Sequence, residues 1–276
     1  MFEARDIRVA LPDRSKKPLI GAAPPIEILK GINLSIGAGA TLGIVGESGS
    51  GKSTLARTML RLYRPKSGTL TFEGRDITHL EERALRPLRA RMQIIFQDSQ
   101  SALNPRLTIG STLIEPMRSY RRIGSRSAAR DLAADLLGRV GLEPEFLARY
   151  PHQLSGGQRQ RVGIARAIAL NPALVVADEI VSGLDVSVQA QILALLRSLR
   201  RETNMALVLI SHDLSVVRVV CDSVIVMQNG AIVEAGPCAD LFANPRHPYT
   251  RQLLRSVPLP IVDPDWLTGA EVRDNP

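Results

Sequence analysis

Ile44-Val45-Gly46-Glu47-Ser48-Gly49-Ser50-Gly51-Lys52-Ser53-Thr54 is the stretch that decides the fold. A short apolar run, Thr41 to Val45, breaks into a glycine-rich loop, and a helical pattern through Leu55, Met59, Leu60 and Leu62 follows at once. Glycines at this spacing let backbone N–H groups curl around phosphate oxygens, and the new helix points its positive end at them. Lys52 has the length to reach β- and γ-phosphates, and Ser53 offers an oxygen to Mg²⁺. A plain turn between a strand and a helix has no need of that lysine. The residues Gly46 to Thr54 therefore read as a grip for a nucleoside triphosphate.

Working outward, Ile7, Val9 and Leu11 alternate with polar or small residues and predict an edge strand. Pro12 to Pro25 is rich in Pro, Gly, Lys and Ala and reads as an excursion, after which Ile28 to Ile36 resumes an extended pattern that Gly37 to Gly39 turns into the loop-bearing strand. Downstream, Pro65-Lys66-Ser67-Gly68 leads into a strand over Thr69 to Phe72, and a basic, helix-prone run ending at Arg91 leads to another over Gln93 to Phe96. From Leu103 to Gln153 the pattern is helices and loops, with Ser127 the expected N-cap of a helix carrying Leu132, Leu136, Leu137 and Val140 and stopped by Gly141.

The remainder alternates. Helices are expected over Gln158–Leu170, Val186–Arg201 and Leu214–Val220, and strands over Leu174–Ala177, Ala206–Ile210 and Val224–Met227. Gln228-Asn229-Gly230-Ala231 is a tight hairpin turn. Such alternation predicts an α/β fold whose mainly parallel sheet gathers its chemistry at the carboxyl ends of the strands.

Composition narrows the class. The 276 residues, 45% hydrophobic, suffice for a sizeable core, and no apolar run approaches the length of about eighteen residues that spans a bilayer. Met1 to Asp6 lacks the layout of a signal peptide, so a cytoplasmic protein is expected. Cys221 and Cys238 have no CxxC companion and read as buried, reduced thiols. The net charge of +8 is spread along helical stretches and aromatic residues are only 4%, which favours a solvated basic face over a nucleic-acid surface.

Two further segments carry chemistry. Leu174-Val175-Val176-Ala177-Asp178-Glu179 is an apolar strand ending in two carboxylates. Phosphoryl transfer to water needs one acid to hold Mg²⁺ and a second group to orient and deprotonate the water, tasks that suit Asp178 and Glu179 in that order. Leu154-Ser155-Gly156-Gly157-Gln158 opens another helix with small residues that expose its amides. One phosphate loop with two anion-ready helix starts points to a head-to-tail dimer holding ATP at its interface.

Together these segments resemble the ATP-binding subunits of ABC transporters over nearly the whole chain. The phosphate loop, Gln97 after its strand, Leu154 to Gln158, Asp178 and Glu179, Ser182-Gly183-Leu184-Asp185 and His212 occur in that family's order. The resemblance implies a P-loop NTPase core over 1–100 and 154–236, with an antiparallel β flap, an inserted helical subdomain over about 101–153, a C-terminal extension over 237–257 and a flexible tail over 258–276. It implies that Gln97 senses Mg²⁺ and couples to membrane subunits, that Ser155 and Gly157 close on the opposite chain's γ-phosphate, that Asp185 lies across the dimer interface and that His212 contacts the γ-phosphate. The implied cofactors are ATP and Mg²⁺.

Ser101-Ala102-Leu103-Asn104-Pro105 after Phe96-Gln97-Asp98, and Asn244-Pro245-Arg246-His247-Pro248-Tyr249-Thr250, resemble the oligopeptide, dipeptide and nickel importer group. The expected partners are two transmembrane permease subunits, a second ATP-binding subunit of the same or a related chain, and indirectly an extracytoplasmic solute-binding protein, at the cytoplasmic face of the plasma membrane. No nucleic acid is expected, and with no cysteine after Cys238 no iron-sulfur cluster. The rival readings are a soluble ATPase of this type acting on nucleic acid or ribosomes, and a regulatory subunit paired with a competent sibling. Three departures stand out: Leu19 and Ile20 where an aromatic ring commonly meets adenine, Ile180 where proline is common, and Gly183 where alanine is common.

Overall fold

The computed structural model describes residues 1–13, 21, 23–96, 102–120 and 125–255. The chain begins β1 (Phe2–Pro12), β2 (Pro25–Ile36), β3 (Thr41–Val45), α1 (Lys52–Met59), β4 (Ser67–Phe72), β5 (Arg75–Asp76), α2 (Glu82–Arg89) and β6 (Met92–Ile95). Helices α3 (Ile109–Ser119) and α4 (Arg126–Arg139) follow, with 3-10 turns at Pro144–Ala148 and Pro151–Gln153. Then come α5 (Gly156–Ile168), β7 (Leu174–Asp178), α6 (Val186–Thr203), β8 (Ala206–Ile210), α7 (Leu214–Val220), β9 (Ser223–Gln228), β10 (Ala231–Pro237), α8 (Cys238–Ala243) and α9 (Pro248–Arg255).

Two sheets form. One is antiparallel in the order β2-β1-β4-β5; the other runs β10-β9-β3-β8-β7-β6 and is parallel except for β10. The parallel strands are buried on both faces, which is why they read as unbroken apolar runs. Their alternate residues enter different cores. Ile44, Val176 and Val208 face the antiparallel sheet, together with Leu55, Ala56 and Met59 of α1. Val45, Val175 and Leu209 face the other way, onto α5, α6 and α7.

Several expectations need correction. β1 is an interior strand, paired with β2 on one side and β4 on the other, because its alternation reports a buried face and says nothing about how many neighbours it has. The cap of α4 is Ser125, whose Oγ accepts from Ala128 N at 3.2 Å, and Ser127 sits within the first turn. Leu132 of that helix faces solvent, whereas Leu136, Leu137 and Val140 are buried. α1 stops at Met59, before Leu62, because Arg61 turns to φ +55° and sends its buried guanidinium to Ile77 O at 2.8 Å.

Among the described residues no strand forms between Leu103 and Gln153, as the pattern predicts. The hairpin at Asn229-Gly230 has both residues at positive φ, and Cys221 and Cys238 are free and buried. Leu19, Ile20, Gln97, most of the 12–25 excursion and the 258–276 tail lie outside the described residues.

Candidate nucleotide site

Parallel register places three strand ends side by side. Ile44 of β3 and Asp178 of β7 both align with Ile210 of β8, so the loops that follow open at one edge of the sheet. Those loops hold Gly46–Gly51, Glu179 and Ser211–His212. Two main-chain bonds lock the alignment: Ser211 N donates to Ile44 O at 3.2 Å and Glu179 N to Ile210 O at 3.0 Å.

The phosphate loop is built for an anion. Gly51 caps α1 at φ +104° and no side chain caps the helix, so its first amides remain available. Gly46, at φ +150°, lies so close to the Met227 carbonyl that a Cβ would collide with it. Lys52 is buried, and its Nζ donates to Gly46 O and Glu47 O at 2.7 Å each. Burial pushes its ammonium below the usual lysine range, while Glu179 and Asp178 nearby pull the other way. Ser50 Oγ is buried in the same loop with no hydrogen-bond partner among the described residues. An orphaned hydroxyl beside an uncapped helix start fits a phosphate oxygen.

The carboxylates converge on this loop from β7. Ser53 Oγ donates to Asp178 Oδ1 at 3.2 Å. Burial pushes the Asp178 carboxyl above its usual range, partly offset by the Ser53 bond and by Arg57 and Lys52. A hydroxyl and a carboxylate at this separation form an all-oxygen donor set suited to a hard divalent cation. Glu179, next in sequence, adopts φ +49°, a conformation a non-glycine residue holds only when its surroundings enforce it. Buried Ile180 and Val181 anchor the following turn, so the Ile180 departure is a core contact. His212 Nδ1 lies 3.6 Å from Glu179 Oε2. The sequence's Lys52, Ser53, Asp178, Glu179 and His212 are thus brought to one sheet edge.

The Ser155 turn stands elsewhere. Ser155 caps α5, accepting from Gln158 N at 3.3 Å while Gln158 Oε1 accepts from Ser155 N at 2.9 Å. Its glycines pack on the start of α6: a Cβ on Gly157 would strike Val188, and one on Gly156 would meet Leu184. Beside it Ser182, Gly183, Asp185 and Val186 are exposed, Val186 at 81%. Gly183 takes φ +74°, which glycine adopts more easily than the alanine common at this place. Gln97 lies outside the described residues. Sequence reasoning missed Tyr249, whose hydroxyl meets Glu47 N; its only signal was the Asn244–Thr250 string, read as a resemblance to the importer group.

A family model described as ABC transporter matches residues 29–182, and one described as oligopeptide/dipeptide transporter, C-terminal region, matches 233–275. This chain belongs to the ABC transporter family. Its cassette is 52% identical over 237 residues to a probable peptide ABC transporter ATP-binding protein of Sinorhizobium fredii, covering 86% of this chain and 67% of that protein. It is 47% identical over 262 residues to an oligopeptide transport ATP-binding protein of Bacillus subtilis, covering 94% and 78%. Among solved structures, a dimeric ATP-binding cassette in a post-hydrolysis state bound to ADP and Pi superposes with a TM-score of 0.75 at 31% identity, covering 86% of this chain and 99% of that one. The ABC cassette is an ATP-hydrolysing unit that powers transport, with an α/β core and an antiparallel sheet, and no helix among the described residues is long and apolar enough to cross a membrane.

Proposed function

We propose that this cassette hydrolyses ATP to drive import of peptides through separate permease subunits. The observation that carries the reading is the convergence of Lys52, Ser53, Asp178 and Glu179 at one sheet edge, in a chain whose relatives are named for peptide transport. A glutathione import ATP-binding protein of Pectobacterium atrosepticum, 49% identical over 239 residues covering 87% of this chain and 38% of that protein, also fits a peptide-like solute. These relatives lend nothing to a soluble ATPase acting on nucleic acid or ribosomes.

In this mechanism the amides of Gly49 to Thr54 hold the β- and γ-phosphate oxygens, and Lys52 gives them the N–H that its bonds to Gly46 O and Glu47 O leave over. Ser53 and Asp178, with Gln97, would hold Mg²⁺, which would supply positive charge to offset the negative charge that develops on the phosphate oxygens. Glu179 accepts the proton of the attacking water, and its enforced backbone conformation fixes where the carboxylate points. His212 orients the same group and contacts the γ-phosphate.

Ser155 to Gln158 of a second cassette, same or related, close on that γ-phosphate, and Asp185 lies across the interface. The exposed Ser182–Val186 surface beside Ser155 and the dimeric ADP-bound relative support this pairing. Hydrolysis removes the γ-phosphate contacts that exist only in the closed pair, and the pair reopens. The helical subdomain over about 101–153 meets two permease subunits at the cytoplasmic membrane face; Leu107 and Tyr150, each more than a third exposed, support it as the docking side. An extracytoplasmic binding protein delivers the solute. Labelled di- to pentapeptide uptake by cells carrying intact or Lys52→Ala cassette tests the reading: loss of uptake in the variant is expected, and unchanged uptake contradicts it.

A further inference from the structure

The region matching the oligopeptide/dipeptide C-terminal model includes α9, and α9 reaches back to the phosphate loop. Tyr249 is 5% exposed, and its hydroxyl accepts a 3.0 Å hydrogen bond from Glu47 N, 202 residues earlier. The tyrosine is itself held in place. Its backbone N donates to His247 Nδ1 at 3.2 Å, and the backbone N of His247 and of Arg246 donate to the Glu234 carboxylate at 3.0 and 2.8 Å. A chain of contacts therefore runs from β10 through α9 to the loop. A second strut meets the loop three residues on, where Gly230 N donates to Ser50 O at 3.0 Å.

The position of the first strut matters. Glu47 N–H and Gly46 C=O belong to one planar trans peptide, so they point in opposite directions and turn together. Tyr249 holds the N–H end, and Lys52 Nζ is bonded to the C=O end. The stretch Glu47 to Gly49 is otherwise exposed. Without the hydroxyl the N–H end of this peptide loses its partner, and the plane is held only from the end that anchors the lysine.

We propose that Tyr249 is a positioning residue for ATP: its hydroxyl fixes the Gly46–Glu47 peptide plane, and through it the Lys52 ammonium and the width of the phosphate grip. This gives the C-terminal extension a part in nucleotide binding, and it rests on the reading of Gly46 to Thr54 as the ATP site. The loop enters binding with one conformation already selected, so less ordering is left for the nucleotide to supply.

The test is titration of the full-length chain with ATP and with AMP, comparing the parent with Tyr249→Phe and Lys52→Ala. Loss of one such hydrogen bond should weaken ATP binding about threefold to tenfold in Tyr249→Phe, and raise KM for ATP with kcat changed less than twofold. AMP, which has no β- or γ-phosphate, should bind the variant and the parent alike. A general loss of structure would lower both affinities together. ATP affinity equal to the parent's in Tyr249→Phe, with Lys52→Ala weakened, overturns the proposal and leaves the site intact; unchanged affinity in Lys52→Ala overturns the site itself. In the unaltered chain, the Glu47 amide should exchange with solvent more slowly than the Ser48 and Gly49 amides, and equal rates would also overturn it.

Discussion

Ser53 Oγ and Asp178 Oδ1 lie 3.2 Å apart although 125 positions separate them in the chain. The contact joins the first turn of α1 to the carboxyl end of β7, and it leaves a hydroxyl and a carboxylate facing the same point. Ser53→Ala removes one of the two oxygens and spares the amides of the loop. Its Mg²⁺ requirement for hydrolysis should rise by about 10–100-fold, with nucleotide binding in chelator nearly unchanged. Measuring ATPase rate against free Mg²⁺ checks this, and an unshifted Mg²⁺ curve would remove Ser53 from the metal site.

Glu179 is the expected base, and its replacement by Gln keeps both the size of the side chain and the main-chain bond to Ile210 O. Loss of a general base lowers turnover by about 10²–10⁴-fold. Glu179→Gln should therefore bind ATP as the parent does and hydrolyse it at a small fraction of the rate in single-turnover assays. A near-parental rate would transfer the role to another group.

Ser155 caps α5 and, in the proposed mechanism, also meets the opposite chain's γ-phosphate, and substitutions can separate the two. Ser155→Ala deletes the cap of α5, which costs about 1 kcal/mol and lowers Tm by a few degrees. It should also weaken ATP-dependent pairing of cassettes. Ser155→Asp restores the cap but sets a carboxylate against a phosphate, so calorimetry should show recovered stability while light scattering shows no recovered pairing. Recovery of both would mean that Ser155 acts only as a helix cap.

Asp222 offers a pH test away from the site. Its carboxylate accepts from Thr41 N at 2.8 Å and from Arg200 at 3.0 Å, tying the start of β3 to α6 and β9. Partial burial pushes this carboxyl up, but the bonds from Thr41 and Arg200 outweigh it and leave it below the usual carboxylate range. Its contribution is thus complete above the unfolded carboxyl's range and is lost as pH falls through the lower folded value. At pH 7 Asp222→Asn should destabilise by about 1 kcal/mol or less, given its exposure, and the gap to the parent should close below about pH 4. Urea unfolding at several pH values measures it; a gap that widens on acidification would contradict the sign.

How much of this was legible depends on the range of each contact. β3, β7 and β8 were readable to within a residue because strands buried on both faces must be apolar throughout. The convergence of Lys52, Asp178 and Glu179 was readable because parallel strands put their carboxyl ends at one edge. The interior place of β1 was not readable, since alternation encodes one buried face and not the partner on each side. Ser125 and Ser127 are equally good caps by residue type, and only the backbone decides between them. The Tyr249 contact spans 202 residues and depends on where α9 docks, which no local pattern records.

The central claim is that this chain works as one of a pair of ATP-closed cassettes on a membrane permease. Capture of tagged Glu179→Gln protein from its own membranes in mild detergent with Mg-ATP, followed by mass spectrometry, tests it most directly. The account predicts that polytopic permease subunits and a second ATP-binding subunit, same or related, are retained with ATP and are lost when Ser155→Ala is added. A catch of ribosomal protein or nucleic acid with no permease subunit would contradict it.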